Sequence, residues 1–240
     1  FNSASSFDKD IGDWDVSKVN DMTSMFNDAT LFNKDISNWY VILIDEEPDK
    51  FSLNLESDYE PNWGLELDPF TKDKLIIAIN NTKNGRYKGV YANDWDVSGV
   101  DNMDYLFYKS KVNFNEDISN WDVSSVTSMI FMFNGMSKFN QYIGDWDVSK
   151  VTDMIYMFYG ASSFDQDISR WNVSKVTNMK YMFYDAYKFN QDLSTKYISD
   201  DNNNKTYIAW DVSNVTSMAY MFRNAYKFNQ DLSNWCVFKI

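Results

Sequence analysis

The chain has 240 residues and a mass of 28.2 kDa, with 44% hydrophobic and 18% aromatic residues, which is ample for a packed core and outside the composition of a disordered chain. Its 22 Lys and Arg against 35 Asp and Glu leave a net charge of −13, which excludes nucleic acid as a natural partner because a phosphate backbone needs clustered basic side chains. With no His and a single cysteine, Cys236, the sequence excludes His-based acid/base catalysis, Ser-His and Cys-His nucleophilic sites, Cys/His zinc sites and an intrachain disulfide.

No apolar run approaches the roughly 18 residues of a membrane helix, and no charged-then-apolar signal segment opens the chain. Residues 1–14, FNSASSFDKDIGDW, correspond to the back half of the unit that recurs later. Phe1, Ala4, Phe7, Asp10, Ile11 and Trp14 fall where Phe158, Ala161, Phe164, Asp167, Ile168 and Trp171 fall. The expectation is a chain that begins in mid-repeat and extends upstream.

From Trp14 a fixed period runs through the chain. Trp14 to Trp39, Trp121 to Trp146, Trp146 to Trp171 and Trp210 to Trp235 are each 25 residues apart, and Trp95 to Trp121 is 26. Such self-similarity is the signature of stacked repeats. Where the unit 146–171 meets the next, Ile168, Trp171 and Val173 follow an L-x-x-L-x-L pattern and predict a short strand. Met154, Met157, Phe158 and Ala161 then fall at i, i+3, i+4 and i+7, one face of a short helix. Thr152 precedes that run, with Asn20, Asp101, Thr127, Thr177 and Thr216 in the same place, and these read as N-caps. The expected fold is an α/β repeat solenoid, leucine-rich-repeat-like, with about 25 residues per unit and one short parallel strand plus one short helix in each. The Met stripe and the Trp series are expected in the core rather than in a binding groove or an exposed sugar ladder.

The domain reading follows from where the period breaks. Residues 1–40 form the end of a first array. Residues 41–94 form an irregular junction in which YVILID and FSLNLES predict a hairpin, and Asp68 or Thr71 caps a helix through KLIIAIN that covers the open end of the second array. Residues 95–240 form the second array; a continuous solenoid with a large side insertion is the rival arrangement. The stretch 195–209, TKYISDDNNNKTYIA, interrupts the second array. Asp200, Asn202, Asn204, Thr206 and Asp211 imitate an EF-hand spacing, but Lys205 replaces the obligatory Gly and Asp211 the usual Glu, so a polar surface loop is expected.

The assembled unit resembles the BspA-like leucine-rich-repeat surface proteins, in the branch whose repeats read close to FNQDISNWDVSNVTNMSYMFYGA. FNQDLSNW at 228–235, WDVSNVTSMAYMF at 210–222 and WNVSKVTNMKYMFYDA at 171–186 carry the likeness, which covers residues 1–40 and about 95–240. Tyr40 and Cys236 depart from the pattern where it has an Asp. The resemblance implies an extracellular or cell-surface protein used in adhesion or assembly, with no catalytic residues to carry over.

Outward positions between Trp and Val hold Asp15, Asp96, Asp122, Asp147, Asn172 and Asp211. Stacked in register, such carboxylates repel unless donors or cations screen them. One reading makes Asp15, Asp96, Asp122, Asp147 and Asp211 a ladder for divalent cations such as Ca2+, with no other cofactor implied. The other has the Asp side chains bonding turn backbones or facing water. A second series, Asp10, Asp35, Asp117, Asp167, Asp192 and Asp231, precedes the Ile or Leu of each unit, with Tyr142 as the exception. Asn33, Asn115, Asn140, Asn190 and Asn229, with Asp165 in register, are expected to form a side-chain ladder that satisfies backbone groups. Of four N-x-S/T sequons, at Asn80, Asn172, Asn204 and Asn214, Asn80 and Asn204 are the expected glycan carriers. Cys236 is expected to be free.

These features favour a non-enzymatic extracellular structural or adhesive module acting through protein–protein contacts, self-association or a larger filamentous assembly included. The alternative is a ligand-binding domain that uses the strand face for a peptide, glycan or divalent cation. A carboxylate glycosidase is disfavoured, because it needs one unique carboxylate pair in a cleft and these carboxylates recur in nearly every unit.

Overall fold

The computed structural model describes all residues except 17, 38, 42, 45, 53–54, 57–58, 64–68, 83–84, 88–89, 109, 111–112 and 201–204. The chain divides into two compact units: Phe1–Asp68 with Thr82–Ala92, and Pro69–Asn81 with Asn93–Ile240. Among the described residues the strands are β1 (Tyr40–Val41), β2 (Asn62–Trp63), β3 (Arg86–Tyr87), β4 (Val90–Tyr91), β5 (Lys196–Asp200) and β6 (Lys205–Ala209), and the α-helix is α1 (Lys72–Asn81).

The expected α/β solenoid of strand-plus-helix units is not what forms. The repeats are built from turns, and the reason lies in two backbone angles. Tyr156 (φ 57°) and Gly160 (φ 69°) are left-handed, so the run from Met154 to Ala161 is broken twice within its length. Met157 and Ala161 N–H groups reach only three residues back, to the Met154 carbonyl at 3.2 Å and the Phe158 carbonyl at 3.0 Å. The intervening donors leave the repeat altogether: Met154, Tyr156, Phe158 and Gly160 donate to the carbonyls of Asn178, Lys180, Met182 and Tyr184 in the next copy. Turns of this kind still bury Met154, Met157, Phe158 and Ala161 together, so helix-like spacing arises without a helix.

The same two left-handed positions recur, at Tyr105, Phe131, Tyr181 and Tyr220, with Ser24 in the first unit, and at Gly135, Asp185 and Asn224, with Asp28 in the first unit. Parallel pairing along the second unit consists of isolated bridges, Asn102 to Ser128 to Asp153 to Asn178 to Ser217, and it bypasses the Trp-x-Val segment where strands were expected. Nor do the threonines cap helices. Thr152 donates both its N–H (2.9 Å) and its hydroxyl (3.1 Å) to the Thr127 carbonyl, and Thr177 does the same to Thr152.

In the first unit the core gathers Phe26, Phe32, Trp39 and Phe51, with Phe26 and Phe32 stacked at 4.2 Å. The predicted hairpin of YVILID with FSLNLES lies partly outside the described residues, at 42, 45, 53–54 and 57; among those described, β1 pairs with β2 in parallel, Tyr40 beside Asn62 and Val41 beside Trp63. The stretch before β2 lies on the preceding repeat as another copy would. Ser24, Phe26 and Ile36 donate to the carbonyls of Asp49, Phe51 and Tyr59, and the Glu56 N–H donates to Asn33 Oδ1 at 3.3 Å.

In the second unit buried Phe107, Phe133, Phe158 and Phe183 stack in succession with ring centroids 5.1–5.5 Å apart. The α1 helix belongs to this unit and buries Leu75, Ala78 and Ile79. Thr71 caps it, accepting the Leu75 N–H at its carbonyl (2.9 Å) and the Lys74 N–H at its hydroxyl (3.4 Å). Lys72 Nζ holds Asn102 Oδ1 at 2.7 Å, and the Phe70 ring leans on Trp95 with centroids 5.5 Å apart. Within the 195–209 stretch, expected as a polar surface loop, β5 and β6 form an antiparallel hairpin pair with Tyr197 opposite Ile208; residues 201–204, among them the imitated EF-hand positions Asn202 and Asn204, lie outside the described residues. Beyond the hairpin the register resumes, Thr216 donating to Thr177 at 2.8 Å.

Candidate functional site

Four of the five Asp residues expected to ligate cations accept hydrogen bonds from their own turns. Asp96 Oδ1 accepts the Ser98 N–H (3.0 Å) and hydroxyl (2.6 Å), and Asp122, Asp147 and Asp211 accept the N–H groups of Ser124, Ser149 and Ser213 at 3.0–3.1 Å. Asn172 does the same for Ser174. These are Asx turns, in which a short acceptor closes on the backbone two residues ahead. Hydrogen bonds from Ser124 hold the Asp122 carboxyl below the usual carboxylate range, against burial and the nearby Asp147 charge. Asp15 also has a partner, and Ser17, two residues on, lies outside the described residues.

The second series behaves alike: Asp10, Asp35, Asp117, Asp167, Asp192 and Asp231 accept the N–H groups of Gly12, Ser37, Ser119, Ser169, Ser194 and Ser233. Where Tyr142 replaces the Asp, Gly144 replaces the Ser, and the Tyr142 ring and the Asp167 carbonyl crowd the space a Gly144 Cβ would need. Among the described residues no group of three or more His, Cys, Asp or Glu is arranged to hold a metal ion.

Of the expected glycan carriers, Asn80 lies in the last turn of α1 with its Nδ2 donating to the Ile76 carbonyl at 2.9 Å, and Asn204 is outside the described residues. The Asn ladder forms as the spacing implied. Asn115, Asn140, Asp165 and Asn190 accept at Oδ1 the N–H of Asn140, Asp165, Asn190 and Asn229, all at 2.8–2.9 Å. Gln166 and Gln230 add amide donors to the carbonyls of Asn140 and Asn190. Cys236 is free and half-buried.

The surface feature that sequence reasoning missed is a row of aromatic rings. Tyr105, Phe131, Tyr156, Tyr181 and Tyr220 occupy the left-handed position in five consecutive repeats, and each ring stacks on the next with centroids 5.0, 4.4, 4.5 and 5.1 Å apart. Three residues on, a second row holds Tyr108, Asn134, Tyr159, Tyr184 and Arg223. Tyr159 and Tyr184 stack at 4.7 Å, and the Arg223 guanidinium sits 5.7 Å from the Tyr184 centroid and 5.4 Å from that of Tyr220. The two rows meet at 45–63°, so together they line an open trough of about 520 Å³.

The signal for this trough was present in the sequence, as an aromatic residue immediately before Leu106-Phe107, Met132-Phe133, Met157-Phe158, Met182-Phe183 and Met221-Phe222, but it carried no apolar periodicity of its own. Partial burial and the adjoining phenols push the Tyr156 and Tyr159 hydroxyls up from their ordinary pKa. Nearby, burial and the Asp104 charge push Asp153 up, against its bond from the Ile155 N–H. The trough brings together ring edges, phenol hydroxyls and one guanidinium, which suits non-covalent recognition.

A family described as "Mycoplasma protein of unknown function, DUF285" matches residues 1–56, 78–197 and 197–240, and the chain belongs to that family. No curated protein matches the chain. No solved structure matches it either. Among the described residues no helix is long and apolar enough to cross a membrane.

Proposed function

We propose that this member of the family is a non-enzymatic extracellular repeat module that works through protein–protein contacts, and that the aromatic trough of its second unit is the contact surface. The likeness of its repeats to BspA-like leucine-rich-repeat surface proteins supports the setting. The trough supports the mode of action.

The observation that carries the reading is the left-handed aromatic row. At φ near 57° a residue with a Cβ costs roughly 1–2 kcal/mol relative to an ordinary conformation, and Gly, Asn or Asp bear that cost best. Ser24 adopts the same angle in the first unit, so the turn forms without a ring. Stacking between neighbouring rings offsets part of the cost, about 0.5–1.5 kcal/mol per pair. Rings here nonetheless serve a surface: Tyr105 and Tyr220 are about half exposed, 48% and 53%. Aromatic side chains supply large contact area with few rotatable bonds, which is why protein interfaces concentrate them.

A soluble ligand held on the same rings is the second reading, favoured by the openness of the trough. A glycan suits it poorly, since face-to-face stacking turns most ring faces toward one another. Sedimentation velocity and negative-stain electron microscopy of the purified chain separate the two. Assemblies that dissolve in a Tyr156→Ser/Tyr181→Ser variant of unchanged secondary structure are expected. Isolated monomers of the unaltered chain carrying a tightly bound soluble ligand would overturn the contact reading.

A further inference from the structure

Of the residues that line the trough only Arg223 carries a formal charge, and no lining residue is acidic. Among the described residues no carboxylate forms an ion pair with Arg223, and its guanidinium makes no hydrogen bond. What holds the exposed Arg223 side chain is aromatic: the Tyr184 and Tyr220 rings, at 5.7 and 5.4 Å. Stacking of this kind fixes the plane of the guanidinium and leaves its five N–H donors unused. Asp185, whose N–H donates to the Arg223 carbonyl at 3.0 Å, gives its own carboxylate to the Asn224 amide at 2.8 Å instead.

A guanidinium held flat is a fork that matches a carboxylate through two parallel N–H···O bonds, and prior stacking reduces the ordering such a pair requires. Phosphate groups are met by clusters of Arg, whereas one guanidinium matches the single charge of one carboxylate. In about 0.15 M salt, charges more than about 8 Å away are largely screened, so the charge that a group meets inside the trough is that of Arg223. The net charge of −13 still counts against an occupant rich in acid, a second copy of this chain included. It leaves room for an isolated carboxylate with uncharged neighbours, and the phenols of Tyr156, Tyr159 and Tyr181 suit such neighbours.

We infer that Arg223 receives the carboxylate of a single Asp or Glu side chain from an otherwise uncharged, extended polypeptide segment of a partner, and that this segment lies along the tyrosine rows. This rests on the reading of the trough as a protein contact surface and names the partner's chemistry.

Isothermal titration of the 240-residue chain with an end-blocked Ser-Tyr-Glu-Tyr-Ser peptide tests it, in about 0.15 M salt. Matched peptides with Gln, Lys or phosphoserine in place of Glu are the comparators. The Glu peptide is expected to bind about fivefold more tightly than the Gln peptide, the upper range for an exposed pair of bidentate geometry, and the Lys peptide more weakly than either. Arg223→Gln is expected to erase the difference between the Glu and Gln peptides with an unchanged circular dichroism spectrum. Arg223→Lys, which keeps the charge and loses the fork, is expected to retain less than half of that difference. Equal binding of the Glu and Gln peptides, a Glu preference that survives in Arg223→Gln, tighter binding of the phosphoserine peptide, or no binding of the Glu peptide would each overturn the inference. Self-assembly lost in Arg223→Gln would put a second copy at this place and overturn it as well. Should the Glu peptide fail while assembly still depends on Tyr156 and Tyr181, the contact reading stands and only the partner's chemistry falls; should neither depend on the trough, both fall.

Discussion

Trp171 donates its indole N–H to the Ile143 carbonyl at 3.0 Å, across a sequence distance of 28 residues and entirely within the core. Trp146 does the same to Ile118, Trp39 to Ile11, and Trp210, past the hairpin, to Ile168. Each indole therefore ties a repeat to the one before it, as a second donor to a carbonyl that already accepts the backbone N–H of the Trp three residues on. Trp171→Phe keeps most of the apolar surface and removes the donor. The Ile143 carbonyl keeps the Trp146 N–H at 3.3 Å and loses its indole donor, at an expected cost of about 0.5–1.5 kcal/mol in addition to the lost ring volume. For a chain of this size that corresponds to a fall in melting temperature of roughly 2–4 °C per kcal/mol. An unchanged melting curve would mean that the Trp146 N–H alone satisfies the carbonyl.

Tyr156 offers a test of the turn-built backbone itself. Its left-handed φ of 57° favours Gly over any residue with a Cβ, while its ring contacts with Phe131 and Tyr181 favour the aromatic. Tyr156→Ala gives up the stacking and keeps the backbone cost; Tyr156→Gly gives up both. The Gly variant is expected to be more stable than the Ala variant by about 1 kcal/mol, the reverse of their order in a helix. Chemical denaturation of the pair measures the difference directly, and Ala above Gly would restore the helical reading of this segment.

The two classes of carboxylate predict opposite responses to acid. Asp122 has a folded pKa below its unfolded value, so its contribution is fully present above the unfolded value and is lost as pH falls through the folded one, below about pH 4. Because the group is mostly exposed, solvent screening limits Asp122→Ala to a loss of about 0.5–1 kcal/mol at neutral pH. Asp153 has a raised folded pKa, so its ionised form opposes folding above that value and the opposition fades as pH falls through it. Asn178 fills the corresponding place one repeat on and accepts the Lys180 N–H at 3.2 Å, so an amide suffices there. Asp153→Asn is expected to raise the melting temperature at neutral pH, with the gain gone below about pH 4. Since turn donors already engage Asp96, Asp122, Asp147 and Asp211, calcium is expected to shift the melting temperature no more than an equal ionic strength of sodium chloride; a specific rise would give that ladder a cation role.

The period, the buried Trp, Met and Phe columns and the Asn ladder were readable because each depends only on which side chains recur every 25 residues. The backbone path was not. Met154, Met157, Phe158 and Ala161 have the spacing of a helix face, and turns closed by three-residue hydrogen bonds bury the same four side chains. The column Gly135, Gly160, Asp185 and Asn224, with Asp28, held the clue, because these residue types tolerate positive φ. Bulky rings at Tyr156 and its counterparts pointed the other way, and the aromatic trough escaped notice with them. Trp63 escaped for a different reason. It lies 24 residues after Trp39 and follows an Asn as Trp121 does, but the Met-x-x-Met-Phe segment that marks the other copies is missing between them. Its place in the stack shows in the structure, in the β1–β2 pairing, the bond from Glu56 to Asn33 and the bonds of Ser24, Phe26 and Ile36 to the carbonyls of Asp49, Phe51 and Tyr59.

The hairpin of β5 and β6 leaves and re-enters the repeat at nearly one point, where Thr195 Oγ1 meets the Trp210 carbonyl at 2.9 Å. Bonds that elsewhere span 25 residues span 39 across it, from Thr216 to Thr177 and from Asn229 to Asn190, with their lengths unchanged. The repeat thus tolerates foreign sequence at this junction so long as the two ends of the insert stay together. A loop, an epitope or a small domain with adjacent termini grafted between Thr195 and Trp210 would be carried outward without disturbing the layers on either side, which makes this junction a natural mounting point.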